Sequence, residues 1–185
     1  MELRQLGING ALLGFSPLHV DDRGYFREWF KHEDLSLFKA NNFEVAQANV
    51  SLSKQNVLRG IHFSSEPAGQ EKWITCTRGA ILDYVIDIRV SSPTFKQWIT
   101  VELTEFNGCS VFIGNGLGHA FIAQEDKSQV NYLLTAEYNP KFEKSINPFD
   151  PELSIDWGRD KLSLSQKDRN APSLKELREE GCLPA

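Results

Sequence analysis

Two histidines sit inside apolar, β-rich runs: His62 in Val57-Leu58-Arg59-Gly60-Ile61-His62-Phe63, and His119 in Leu117-Gly118-His119-Ala120-Phe121. Lys72, Tyr132 and Asp168 complete a set that can supply one cavity with a base, a cation and a phenolic acid. A neutral imidazole takes a proton, an ammonium stabilises a developing oxyanion, and a phenol returns a proton. Such chemistry acts on a small molecule and requires neither a metal nor a covalent nucleophile.

Each of these residues also has a plainer reading. A histidine in an apolar strand is commonly structural, and His62 acts as a base only if a partner such as a carboxylate fixes its tautomer. His119 can bond a backbone carbonyl at a strand start or contact a ligand. Lys72 shares a strand face with Ile74 and Cys76; it is either an edge-strand charge, the reading local sequence favours, or an inward cation. Tyr132 and Tyr138 fall on one face of an unbroken strand, where ordinary aromatic packing is the simpler role. Asp168 lies in Ser165-Gln166-Lys167-Asp168-Arg169, which otherwise reads as a solvated loop. Asp21-Asp22-Arg23-Gly24-Tyr25-Phe26-Arg27-Glu28 is a turn entering a strand. Its arginines either bridge to Asp22 or Glu28 or hold a phosphate beside an aromatic ring.

The elements that must position these groups are mostly strands. In Ile81–Arg89, Leu82, Tyr84, Ile86 and Ile88 alternate with Asp83, Val85 and Asp87, a period of two with one strongly apolar face. Arg78-Gly79 separates that segment from a strand at Lys72–Thr77, as a tight hairpin would. Further strands are expected at Gln97–Leu103, Ser110–Ile113, Ala120–Gln124 and Gln129–Ala136. The turns between them are Ser91-Ser92-Pro93, Phe106-Asn107-Gly108 and Glu125-Asp126-Lys127. Strands at this spacing predict an antiparallel sandwich or barrel. A short helix is expected over His32–Ala40. A second, near 173–180, has Ser173 as cap, Glu176 completing a capping box and Gly181 as stop.

Composition narrows the function. A chain of 185 residues, 41% hydrophobic, fits one domain spanning 1–185. A net charge of -5 argues against a nucleic-acid surface but allows a local basic pocket for a phosphorylated ligand. No apolar run approaches the roughly 18 residues of a membrane span. Met1-Glu2-Leu3-Arg4-Gln5 lacks the apolar core of a signal peptide. The three cysteines, Cys76, Cys109 and Cys182, form no CxxC and read as reduced thiols in the cytoplasm. With four histidines and no His-x-His, ligand supply for a metal is poor, and none is expected. GxSxG, GxGxxG and GxxxxGK[ST] are missing, so serine hydrolase, dinucleotide and P-loop chemistries lack their motifs.

An ordered set of short motifs resembles the dTDP-4-dehydrorhamnose 3,5-epimerase family. It comprises Asp22-Arg23-Gly24, Gln47-Ala48-Asn49, Val57 to Phe63, Arg78-Gly79-Ala80, Asp87-Ile88-Arg89, Ser91 to Phe95, Gly118 to Phe121, Asp156-Trp157 and Ser165 to Pro172. The resemblance runs from about Leu3 to Pro184. It implies an all-β, cupin-type β jelly roll with short peripheral helices, a homodimer, and epimerisation without metal or cofactor. It also implies a dTDP-4-keto-6-deoxyhexose substrate inverted at C3 and C5. By the same resemblance His62 is the proton acceptor, Asp168 its orienting carboxylate, Tyr132 the proton donor and Lys72 the enolate stabiliser. Gln47, Asn49, Arg59 and His119 would contact the nucleotide sugar. Arg23 and Glu28 would meet the nucleotide from the partner subunit, and Tyr138, Glu143 and Lys167 match further binding positions. Two alternatives share parts of the pattern: an epimerase acting only at C3 or only at C5, and a non-catalytic jelly-roll sugar-binding module.

Overall fold

The computed structural model describes residues 1–38, 43–65 and 69–185. The strands are β1 (Glu2–Gln5), β2 (Ala11–Phe15), β3 (His19–Asp21), β4 (Gly24–Phe26), β5 (Gln47–Ser53), β6 (Leu58–Ser64) and β7 (Lys72–Arg78). They continue with β8 (Ala80–Asp87), β9 (Trp98–Thr104), β10 (Cys109–Ile113), β11 (Leu117–Ala123), β12 (Ser128–Leu134) and β13 (Glu143–Ser145). Three short helices lie outside them: α1 (His32–Phe38), α2 (Gln166–Arg169) and α3 (Leu174–Glu179). Lys39 and Ala40, the end of the first expected helix, lie outside the described residues.

Two antiparallel sheets face each other. One has six strands in the order β1-β2-β10-β7-β12-β5, the other five in the order β13-β6-β11-β8-β9. From β5 onward the chain changes sheet at nearly every turn, the jelly-roll pattern. Neighbouring stretches of sequence therefore build opposite walls of one space. The β3–β4 hairpin stands apart as a two-stranded arm.

Apolar side chains fill three layers. Between the sheets lie Ile74, Cys76, Val111, Ile113 and Val130 from one wall and Ile81, Val85, Leu103, Leu117 and Phe121 from the other. The outer face of the five-stranded sheet carries Leu58, Ile61, Phe63, Tyr84 and Ile86, covered by Ile146, Leu153, Trp157, Leu174 and Leu177. The outer face of the six-stranded sheet buries Leu12, Trp73 and Phe112 against Leu35 and Phe43. Each fully buried side chain of this size is worth about 1.5–3 kcal/mol relative to exposure. Such burial holds α3, which at six residues would not persist alone. Leu174 and Leu177 are its buried residues, and Ser173 and Glu176 close the capping box at its start.

Double coverage revises one sequence expectation. Along β8 the face carrying Asp83, Val85 and Asp87 is not wet; all three are buried, because that face meets the other sheet. Asp87 answers its burial locally. Burial pushes its carboxyl up, but hydrogen bonds from Arg89, Ser92 and Thr94 win and hold it at about 2.

The arm is pinned without charge pairing. The Arg27 guanidinium donates to Ser16 Oγ at 2.9 Å, Thr75 Oγ1 at 3.0 Å, Ser110 Oγ at 3.0 Å and the Gly108 carbonyl. Trp73 Nε1 donates to the Trp29 carbonyl at 2.9 Å. Of the two readings left open for Arg23 and Arg27, bridges to Asp22 or Glu28 are not seen among the described residues. Arg23 takes Asp21 instead, and Glu28 pairs with Lys31.

Candidate active site

A cavity of about 440 Å³ opens between the sheets, lined from both walls. Its geometry starts with an irregularity in β6. Arg59 pairs with Phe121 and His62 with His119, so Gly60 and Ile61 together oppose Ala120. Residues three apart on a regular strand face opposite ways. The extra residue puts Arg59 and His62 on the same, inner face, and both line the cavity. Only glycine fits at the hinge. Gly60 has φ +125, and a Cβ there would lie 2.5 Å from Ala120 Cβ and 2.7 Å from both Ala120 Cα and His119 O.

His62 Nε2 is 2.7 Å from Asp168 Oδ1. Asp168 sits on α2, not in a solvated loop; its backbone N–H donates to the cap Ser165 Oγ at 3.0 Å, and the residue is buried. Burial pushes this carboxyl up. The hydrogen bond and charge of His62, with further hydrogen bonds from Ser165 and the Gly60 backbone, outweigh burial and hold it below its ordinary value. Asp168 therefore stays ionised, oriented to fix the ring and stabilise its cationic form.

The opposite wall carries Tyr132 on β12 and Lys72 at the head of β7. β7 lies between β10 and β12, so the edge-strand reading of Lys72 is wrong; the lysine is inward and 7% exposed. Burial pushes its ammonium down, against the pull of the Glu143 and Asp83 charges. Burial likewise pushes the Tyr132 phenol well up, with a Ser51 hydrogen bond acting the other way. The two hydroxyls are 3.2 Å apart. Tyr132 is thus a protonated acid at neutral pH. β12 stops at Leu134, so Tyr138 reaches the cavity mouth from the following loop rather than along a continued strand. Its N–H donates to Gln47 Oε1 at 2.7 Å.

Among the described residues, the partner of His119 is a carboxylate and not a backbone carbonyl. Its Nε2 lies 2.7 Å from Asp83 Oδ2, on a neighbouring strand of the same sheet. Gln47, Asn49 and Glu143 also line the cavity, and Arg59 donates to Ser53 Oγ at 3.0 Å. Arg23, Glu28 and Lys167 do not. Arg23 is on the arm with its side chain 90% exposed, Glu28 is exposed beside Lys31, and Lys167 is an exposed residue of α2. Sequence reasoning missed Asp83, Ser51, Gln70 and Phe121 as site residues. For Asp83 a signal existed: a carboxylate in a strand otherwise rich in β-branched and aromatic residues. Among the described residues, no group of three or more His, Cys, Asp or Glu side chains is placed to hold a metal ion.

A jelly roll whose inter-sheet cavity pairs a carboxylate-held imidazole with a half-buried phenol and a buried lysine has the layout of an acid–base isomerase. The profile of the dTDP-4-dehydrorhamnose 3,5-epimerase family matches residues 5–176, and this chain belongs to that family. It is 45% identical to the dTDP-4-dehydrorhamnose 3,5-epimerase of Mycolicibacterium smegmatis over 185 residues, 100% of this chain and 91% of the relative. The solved structure of the Mycobacterium tuberculosis rmlC epimerase superimposes with a TM-score of 0.96 at 41% identity, covering 100% of this chain and 94% of that one. A Streptomyces niveus relative named dTDP-4-dehydrorhamnose 3-epimerase is 40% identical over 100% of this chain and 89% of its own.

Proposed function

We propose that the chain converts dTDP-4-dehydro-6-deoxy-D-glucose to dTDP-4-dehydro-L-rhamnose by inverting C3 and C5. The observation that carries this reading is that the His62–Asp168 pair and Tyr132 enter one cavity from opposite sheets. Protons on C3 and C5 are acidic because each carbon adjoins the C4 ketone. His62, held at Nε2, takes one through Nδ1, and the electron pair moves onto the C4 oxygen. Lys72 meets that charge. Tyr132 then delivers its proton to the other face of the carbon, leaving a phenolate beside the Ser51 hydroxyl. Exchange with water returns the His62 proton and restores the phenol, so each inversion balances without a cofactor.

Arg59, Gln47, Asn49, His119, Tyr138 and Glu143 would hold the nucleotide sugar. Arg23 and Glu28 face away from their own cavity, so we assign them to the cavity of a second copy in a homodimer, with the arm as the shared element. Lys167 would act beside Asp168 at the rim. The unpaired cysteines suit a cytoplasmic setting. Mixing inactive Arg23→Ala and His62→Ala proteins is expected to restore activity above either alone, because one hybrid cavity is whole. No recovery after proven subunit exchange would refute the shared arm.

Incubation with the substrate in heavy water, followed by NMR, tests the reaction. Deuterium is expected at both C3 and C5. Deuterium at C3 alone would restrict the chain to the epimerisation named for its Streptomyces niveus relative, and deuterium at C5 alone to a C5-only epimerase. Substrate that binds without exchange would make it a sugar-binding module.

A further inference from the structure

Two histidines line the cavity, each bonded to a buried carboxylate behind it, and the proposed reaction uses only one such pair. His62 and His119 are register partners on β6 and β11, so the two rings are neighbours on one wall. Their carboxylates differ in setting. Asp168 comes from a peripheral helix and is surrounded by donors: the imidazole, a serine hydroxyl and a backbone N–H. Asp83 lies within a central strand and is 0% exposed. Its Oδ2 meets His119 Nε2 at 2.7 Å, while its Oδ1 is buried with no hydrogen-bond partner among the described residues.

We propose that Asp83 is a positioning residue that keeps His119 a hydrogen-bond donor toward the ketone oxygen of the substrate, so that the enolate is met by His119 and Lys72 together. This rests on the epimerase reading above. With Nε2 committed to Asp83, the nitrogen left for a ligand is Nδ1, and it donates only if it carries a proton. Two arrangements provide that: an imidazolium against a carboxylate, or a neutral ring whose Nε2 accepts from a protonated Asp83. Both keep two protons on the pair. A bare Oδ1 without donors is where a carboxylate is least well solvated and a carboxylic acid best tolerated.

The surroundings agree. Burial pushes the Asp83 carboxyl up, with His119 and Lys72 pulling it back. Asp168 is displaced the other way. Neighbouring pairs displaced in opposite senses suit one to accept protons and the other to hold them. Among the described residues, the remaining ionisable groups lining the cavity are Lys72 on β7, Tyr132 on β12, Tyr138 on the loop after β12, His62 and Arg59 on β6, and Glu143 on β13. Lys72 holds its own proton less firmly than an exposed lysine. A second donor therefore matters most as pH rises and Lys72 begins to lose its charge.

The test combines nitrogen-15 NMR of histidine-labelled enzyme with kcat against pH for wild type, Asp83→Ala and Asp83→Asn. dTDP affinity serves as the check that each variant folds. Wild-type His119 is expected to carry a proton on Nδ1 through the neutral range. Asp83→Ala should lower kcat about 100-fold, the usual cost of losing one oxyanion donor, with the alkaline limb moved to lower pH. Asp83→Asn should recover part of kcat, because its amide N–H can hold Nε2 as acceptor and keep the proton on Nδ1. A bare Nδ1 in the wild type, or an Asp83→Ala enzyme with unchanged kcat and alkaline limb, overturns the proposal. If neither variant folds, the wild-type spectrum alone decides it. Wild type without turnover would defeat the epimerase reading instead, and the spectrum would still report the Nδ1 proton.

Discussion

His62→Ala is expected to lower turnover by at least about 100-fold, the usual contribution of a positioned general base. dTDP binding should change little, because the imidazole acts on the sugar and Arg59, Gln47 and Asn49 remain in place. The split separates a base from a packing residue: a structural histidine would lose affinity and stability along with rate. Asp168→Asn should fall between wild type and His62→Ala, since an amide can still meet Nε2 but offers no charge to the imidazolium. Steady-state kinetics beside dTDP titration measure both. A His62→Ala enzyme with near wild-type kcat would remove His62 from the mechanism.

Gly60→Ala should damage stability and catalysis together. The new methyl would sit 2.5 Å from Ala120 Cβ and 2.7 Å from backbone atoms of the facing strand, which cannot swing aside as a flexible side chain could. A positive φ adds strain for any residue with a Cβ. Overpacking and backbone strain each cost about 1–3 kcal/mol, so a loss of about 2–6 kcal/mol is expected. At this chain length that corresponds to a fall of roughly 5–20 °C in Tm. Where the variant folds, relief of the clash must unseat the register that turns Arg59 and His62 to the same side, so both kcat and dTDP affinity should drop. Calorimetry and kinetics that match the wild type would show the irregularity to be dispensable.

The strands were readable because alternation of apolar and polar residues is a local property. β8 and β12 lie close to their expected spans for that reason. What alternation cannot report is the covering of the second face. Asp83 and Asp87 looked like the wet side of a strand and lie between sheets or under a loop. Lys72 looked like an edge charge because strand order is a long-range property; a single segment does not record that β10 and β12 flank it. Asp168 looked solvated because its neighbours Gln166, Lys167 and Arg169 are exposed. Its burial depends on a helix docking more than a hundred residues from its partner. The motif resemblance assigned roles to His62, Tyr132, Lys72 and Asp168, and the fold brings the first three to one cavity with Asp168 bonded behind His62. It also pointed to Arg23, Glu28 and Lys167, which do not line the cavity of their own chain. Nothing in either reading marked Asp83 as the partner of His119.

The proposed base and its carboxylate are 106 residues apart in the chain. During synthesis the thirteen strands of the described residues all emerge before Asp168 does. A nascent chain can therefore expose every strand of both walls while His62 still lacks an oriented tautomer. Domains assemble largely from the N-terminus as they leave the ribosome. Catalytic competence would then arrive last, with the docking of α2.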